Sequence, residues 1–275
     1  MENKKDIRAL SREQLRDFFV GQQDKPFRGN QVYDWLWAKG AHTFDEMSNL
    51  SKETRALLQT NFVINHIKVD EMQRSGDGTI KNAIKLHDGL VVESVLIPTQ
   101  KRTTACVSSQ VGCSLNCSFC ATARLKKMRN LNPDEIYDQV LAIDQQSRHY
   151  FHHPLSNIVF MGMGEPFHNY DETMTAIDRL NDAQGFNLGA RRFTVSTVGL
   201  IPAIKRFTQE RRQVNLAISL HAADDELRSS LLPVNRKFPL EPLLSACTEY
   251  FEATGRRITF EWALIQDVND ICDMP

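Results

Sequence analysis

The chain has 275 residues, six of them cysteine, with 41 % hydrophobic and 24 % charged residues and a formal net charge of −1. That balance describes an ordinary soluble globular protein, with room for one large domain or for a medium domain and a small one. It offers no overall basic charge for nucleic acid, so any RNA contact has to come from local patches. No stretch reaches the roughly 18 apolar residues of a transmembrane helix. The start, MENKKDIRALSREQL, is charged from the outset and carries no apolar signal core. A cytoplasmic location is therefore expected, where cysteines serve as thiols, metal ligands or catalytic groups rather than as structural disulfides.

In chain order, residues 9–62 read as helical. Ser11 with Gln14 fits a capping box ahead of Leu15, Phe18 and Phe19, and Val32, Trp35 and Leu36 repeat the one-face spacing. Thr43 and Glu46 suggest a second box before Met47 and Leu50. Near residue 66 the pattern becomes β: HIKVDEMQRS, GTIKNAIKLHDG and LVVESVLIP are short strands separated by GDG and HDG turns. From about 103 onward strands (TTACVSS, SNIVFMGM, RRFTVST, QVNLAISL, RRITFEWALI) alternate with helices, the first capped by Asn132 with Pro133 at its opening position. The expected organisation is a helical domain over 1–65, a β-rich connector over 66–102 and an α/β unit over 103–275. Repeated strand–helix units with apolar strand centres argue a parallel sheet, as a barrel, a partial barrel or a doubly wound sheet.

The segment CSLNCSFC places Cys113, Cys117 and Cys120 in the loop after the first strand of that unit, at the carboxyl end where α/β sheets bind ligands. Three thiolates can hold three corners of a 4Fe-4S cube and leave the fourth iron open to a substrate. On spacing alone, structural zinc with a remote fourth ligand such as His221, Cys106 or Cys247 competes.

Phe119 before the last cysteine, together with this spacing, resembles the radical S-adenosylmethionine (SAM) superfamily. CVSSQVGCSLNCSFCATA, MGMGEPFHNY, RRFTVSTVGLIP and LAISLHAADDELRSSLLPVN, in this order, are similar to the dual-specificity rRNA/tRNA adenine carbon-2 methyltransferases and to their carbon-8 relatives. PFRGNQVYDWLWAKGAHTFDEMSNLSKETRALL resembles that family's helical accessory domain. The resemblance implies a partial (β/α) barrel of radical SAM type and a 4Fe-4S cluster on Cys113, Cys117 and Cys120. It implies SAM bound by Gly164, Glu165, Ser196, Ser219, Leu220 and His221. It further implies Cys106 as the thiol that resolves a protein–RNA adduct and Glu93 as a proton acceptor. The implied partners are 23S rRNA, tRNA and a flavodoxin-like electron donor, with a monomeric enzyme and no membrane.

The residues themselves leave blander readings open. Gly162-x-Gly164 lacks the third glycine of a dinucleotide fingerprint and serves equally as a strand-end turn. Cys106 is by itself a small buried apolar residue, and Glu93 an ordinary outward strand carboxylate, unless its apolar neighbours bury it and raise its pKa. Three basic runs offer phosphate contacts: Arg124, Lys126, Lys127 and Arg129; Arg191 with Arg192; and Lys205 to Arg212. The family's second catalytic cysteine, in an Ala-Cys-Gly-Gln-Leu-like motif, does not occur in these residues, nor do the last barrel strand and a later SAM-contacting asparagine. Neither Cys247 nor Cys272 is a replacement. The chain is thus expected to be a fragment or a natural truncation that binds cluster and SAM without completing methyl transfer. An unpaired edge is expected at 257–265. A non-catalytic RNA-binding module with zinc or cluster, and a carbon-8 methyltransferase, are the competing readings.

Overall fold

A computed structural model describes residues 4–270. The N-terminal part holds three helices, α1 (Arg12–Gly21), α2 (Phe27–Trp37) and α3 (Lys52–Asn61), and a two-stranded parallel clip of β1 (Lys5–Asp6) with β2 (Phe62–Val63). Ser11 caps α1 as expected: its hydroxyl accepts from the Gln14 N–H at 3.1 Å, and Gln14 Oε1 accepts from the Ser11 N–H at 2.8 Å. The second capping box does not start a helix. Thr43 Oγ1 bonds Glu46 Oε1 at 2.8 Å over a single 3-10 turn, Phe44–Glu46. The next helix starts six residues later, where Ser51 Oγ accepts from the Thr54 N–H. The apolar faces of these helices bury Leu15, Phe19, Val32, Leu36 and Leu58, with Ile7 and Met47 from the adjoining turns.

β3 (Lys68–Arg74), β4 (Ile80–Lys85) and β5 (Val91–Pro98) form an antiparallel meander. Sequence reading separates this segment from the α/β unit, but β5 pairs antiparallel with β6 (Thr103–Cys106), so the meander continues the main sheet. Alternation explains why: Ile80, Asn82 and Ile84 on β4 and Val92, Ser94 and Leu96 on β5 all turn one buried face toward the helices. A small antiparallel ribbon of β7 (Gln110–Val111) and β8 (Arg129–Asn130) comes next, and then α4 (Pro133–Phe151). Beyond it come β9 (Asn157–Phe160), α5 (Tyr170–Asn181), β10 (Phe193–Thr197), α6 (Ile201–Glu210), β11 (Asn215–Ser219), α7 (Asp225–Leu231), α8 (Leu240–Thr254) and β12 (Ile258–Glu261). The eight-stranded sheet runs β12-β11-β10-β9-β6-β5-β4-β3, parallel from β12 to β6 and antiparallel beyond. Among the described residues it is an open, mixed sheet and not a closed barrel. Parallel strand centres such as Ile158, Phe160, Val195, Leu216 and Ile218 are buried, as strands covered on both faces require. Among the described residues β12 pairs on one side only.

The N-terminal helices dock on α4 through buried charge. Arg8, 4 % exposed, bonds both oxygens of Asp138 at 2.8 and 2.9 Å and Asp134 at 3.1 Å. Beside it the Arg179 guanidinium lies 3.8 Å over the Trp37 ring, which meets Tyr137 edge-on. No helix among the described residues is long and apolar enough to cross a membrane. Cys272 lies outside the described residues.

Candidate functional site

Every parallel strand from β9 to β12 delivers its carboxyl end to the same place. A cavity of about 250 Å³ is lined by Cys113, Cys117 and Cys120 from the loop 112–128, by Gly162, Gly164 and Glu165 after β9, by Ser196 on β10, Ser219 and His221 at the end of β11, and Glu261 on β12. Of the residues singled out from the sequence, the three cysteines, Gly164, Glu165, Ser196, Ser219 and His221 meet here. Leu220, Cys106 and Glu93 do not line the cavity.

The β7–β8 ribbon closes the neck of the cysteine loop, with Val111 paired to Arg129. Arg129 is locked in turn by both oxygens of Glu135, at 2.8 Å each, and by Asp88 at 2.7 Å. The far end of the loop is pinned by the Ser118 N–H on the Leu231 carbonyl. Burial pushes the Cys117 thiol up to about 12, helped by Cys113 and Cys120, and shifts Cys113 in the same direction. The three sulfurs are thus near neighbours, and Cys113 and Cys117 are held protonated until a metal displaces the protons. Among the described residues no group of three or more His, Cys, Asp or Glu is close enough to clasp a single metal ion. Of the remote ligands considered for zinc, Cys247 is buried in α8 and Cys106 ends β6, both outside the cavity, whereas His221 lines it with Nδ1 accepting the Ala263 N–H. A cluster that takes one thiolate per iron fits a donor set spread around one wall.

Gly162 and Gly164 are required by packing. A Cβ on Gly162 would stand 2.7 Å from Ser108 Oγ; Gly164, at φ +96°, would place one 2.5 Å from the Gln110 Cβ. Ser108 and Gln110 reach into that turn, Ser108 Oγ accepting the Met163 N–H and Gln110 Oε1 the Glu165 N–H. The Glu165 carboxylate accepts N–H groups from Phe167 and Val198 at 3.0 Å each, yet complete burial still pushes it up to about 7. His221 sits at φ +61° with Phe119 edge-on at 4.7 Å; burial, then Arg228, holds its pKa down, which keeps the ring neutral.

Cys106 ends β6. Burial, with a smaller contribution from Glu261, lifts its thiol to about 11. Glu93 takes the outward position that its strand pattern suggests, without the partial burial that would raise its pKa as a base requires. Its side chain is 49 % exposed and pairs with Lys81 at 2.6 Å, because β5 turns Val92 and Ser94 to the core and residue 93 outward.

Two residues escaped sequence reading. Arg228, fully buried on α7, donates to the carbonyls of Leu220, Ser219 and Val198 and to Asn235 Oδ1, so it ties down the ends of β10 and β11. Glu261 receives the Ser196 hydroxyl at 2.7 Å. The first sits in DELRSSLL as one charge among several; the second reads only as one polar position in an alternating strand.

The basic runs also separate. Around 205–212 the cations are neutralised, Lys205 by Glu249, Arg206 by Asp171 and Glu210, and Arg212 by Asp178 and Glu210. Arg124 and Lys126 are exposed and, with Lys127, form no ion pair among the described residues. Lys127 and Lys237 both lie close enough to His168 to hold down its pKa, behind the larger effect of burial.

Known proteins agree with this geometry. Residues 5–64 match the ribosomal RNA large subunit methyltransferase N-terminal domain, and residues 107–272 match the radical SAM superfamily. A probable dual-specificity RNA methyltransferase RlmN of Christiangramia forsetii is 60 % identical over 269 residues, covering 98 % of this chain and 76 % of the relative. One from Enterococcus faecalis is 44 % identical over 272 residues, covering 97 % and 75 %. The crystal structure of a radical SAM methyltransferase from Sphaerobacter thermophilus superimposes with a TM-score of 0.90 at 42 % identity, covering 98 % of this chain and 79 % of that one. Radical SAM proteins use a 4Fe-4S cluster and SAM, and the thiol-lined cavity has the donors for the first and the polar strand ends for the second. This chain is an enzyme and belongs to the RlmN family of radical SAM RNA methyltransferases.

Proposed function

We propose that the enzyme to which these residues belong methylates carbon-2 of an adenine in 23S rRNA and in tRNA, with Cys113, Cys117 and Cys120 as the cluster ligands and the strand-end residues as the SAM site. The observation that carries the reading is the convergence of three loop thiols with the ends of β9 to β12 on one cavity. Adenine carbon-2 is electron-poor and a weak nucleophile, so a polar attack on a methyl sulfonium is unfavourable and a radical route avoids it. Cys113, Cys117 and Cys120 would hold the cluster, which would supply the electron for SAM cleavage and, through an iron without a protein ligand, a point for holding SAM. The chain's own residues do the rest. Gly164 lets the backbone approach without a side chain, and Glu165 fixes the turn and presents its remaining lone pairs. Ser196, Ser219 and His221 line the cavity's polar wall, and Leu220, outside it, holds the strand end through its carbonyl on Arg228 and its N–H on Glu261.

Cys106 is the thiol that releases methylated RNA from the protein adduct. Glu93, outside the cavity, receives a proton only from a group that RNA brings to the surface of β5. The methyl-carrying cysteine of the family's mechanism sits in a motif that does not occur in residues 1–275. Arg124, Lys126, Lys127 and Lys237 grip phosphates beside the cavity, and the target base unstacks to enter. A flavodoxin-like protein is the electron donor, and the enzyme works as a monomer.

The test is anaerobic reconstitution with iron and sulfide, followed by dithionite-dependent release of 5′-deoxyadenosine from SAM. Mass spectrometry of adenosines from cells with and without the gene then distinguishes carbon-2 from carbon-8 methylation. Zinc content with no SAM cleavage refutes the reading.

A further inference from the structure

Two carboxylates line the cavity, and their situations differ. Both oxygens of Glu165 already accept backbone N–H groups. Glu261 is held through one oxygen only: Oε2 accepts the Ser196 hydroxyl at 2.7 Å, and among the described residues Oε1 has no hydrogen-bond donor. The backbone beneath it is rigid. Residue 261 stands in register with Ser219, and its carbonyl accepts the N–H groups of Leu220 and His221 at 3.0 and 3.3 Å. The Ser196 hydroxyl thus tethers the carboxylate above a fixed strand end.

Ser196 has a single hydroxyl proton and gives it to Glu261, so the lone pairs it turns to the cavity are acceptors. Ser219 Oγ lies 3.4 Å further along the same wall. The wall thus presents two adjacent acceptors, one of them anionic, and it calls for a ligand with two adjacent donors. In SAM the sulfonium has no proton to donate. The methionyl amino and carboxylate groups belong, on the proposed function, to the cluster side of the cavity. Adenine carries its exocyclic donors on one nitrogen. Only the ribose bears hydroxyls on neighbouring carbons.

The geometry points to Glu261, assisted by Ser196, as the seat of the 2′,3′-diol of the SAM ribose. This assignment rests on the cavity being the SAM site. It gives the last strand of the described sheet a direct part in cofactor recognition.

Titration calorimetry on the reconstituted protein tests it with S-adenosylhomocysteine, a stable analogue, and with its 2′-deoxy and 3′-deoxy forms, on wild type, E261A and E261Q. Melting curves followed by circular dichroism check that each variant folds. Wild type is expected to lose about tenfold or more in affinity when the hydroxyl facing Glu261 is removed, the scale of one charge-assisted hydrogen bond. E261A is expected to bind the parent compound about tenfold more weakly and to lose nothing further with that deoxy form. E261Q, which keeps one acceptor oxygen and the side-chain volume, is expected to fall between them and carries the same comparison if E261A does not fold. Full affinity in a folded variant, or an undiminished penalty for the deoxy form in E261A, overturns the assignment and leaves the SAM site standing. Failure of wild type to bind the parent compound removes the SAM site itself, and the assignment with it.

Discussion

Single residues in this cavity are set by burial more than by charge. Cys117 is lifted to about 12 because its surroundings are apolar, and the thiolate becomes accessible only when a metal takes the proton's place. Cys117→Ala is expected to weaken iron retention at least tenfold after reconstitution, read as iron per chain and visible absorbance, while the melting temperature of the metal-free protein changes little. Glu165 titrates in the opposite sense to an ordinary salt-bridged carboxylate. Its folded pKa of about 7 lies above the unfolded value, so the native state retains a proton that the unfolded chain releases. That contribution is complete below the unfolded value of about 4.3 and is lost as pH rises through about 7. Between pH 5 and pH 8 wild type is expected to lose stability through this group, by up to about 3 kcal/mol, and Glu165→Gln to lose correspondingly less in denaturant titrations at the two pH values. The cysteines were legible because three soft ligands within eight positions are a local pattern. Glu261 was not, because its meaning comes from Ser196, 65 residues away on another strand.

At the scale of elements, helix starts follow local chemistry and strand ends follow packing. Ser11 with Gln14 and Asn132 with Pro133 open helices as expected, and Glu135 adds an acceptor for the Asn132 N–H, since a cap needs only four residues in sequence. Thr43 with Glu46 has the same chemistry and closes a single turn, because no long apolar face comes after it to be buried. The end of β9 is governed by what crosses it: Gly164 passes against Gln110 with positive φ. Gly164→Ala is expected to cost about 2–4 kcal/mol in chemical denaturation, from strain and collision together, and to weaken SAM binding by displacing Glu165. A fall in stability with unaltered SAM affinity would place the turn outside the binding site. The β7–β8 ribbon left no signal in the sequence. Two residues per strand carry no periodicity, and the pairing exists only because Arg129 is anchored by Glu135 and Asp88.

Across the whole molecule, the N-terminal helices and the α/β unit are joined by a buried guanidinium. Arg8→Leu leaves Asp134 and Asp138 buried without their partner and is expected to cost about 3–5 kcal/mol, with faster proteolysis of the N-terminal helices. RNA binding is expected to draw on the unpaired cations beside the cavity and not on the neutralised set around 205–212. Lys127→Ala with Lys237→Ala is expected to lower the slope of log affinity against log salt by about one per residue, while Lys205→Ala leaves it unchanged. By itself the sequence determined the alternation of strands and helices, the cysteine trio and the strand-end serines and glycines. Each of these is a pattern of neighbours in the chain, and hydrophobic period and ligand spacing are read locally. Only the tertiary structure decided that the β meander belongs to the main sheet, that Glu93 pairs with Lys81 outside the cavity, that Glu261 lines the cavity and Arg228 ties down the strand ends beneath it, and that the 205–212 cations are neutralised. Those outcomes depend on which groups distant in sequence come within hydrogen-bonding or Coulomb range, and strand order and burial set that range.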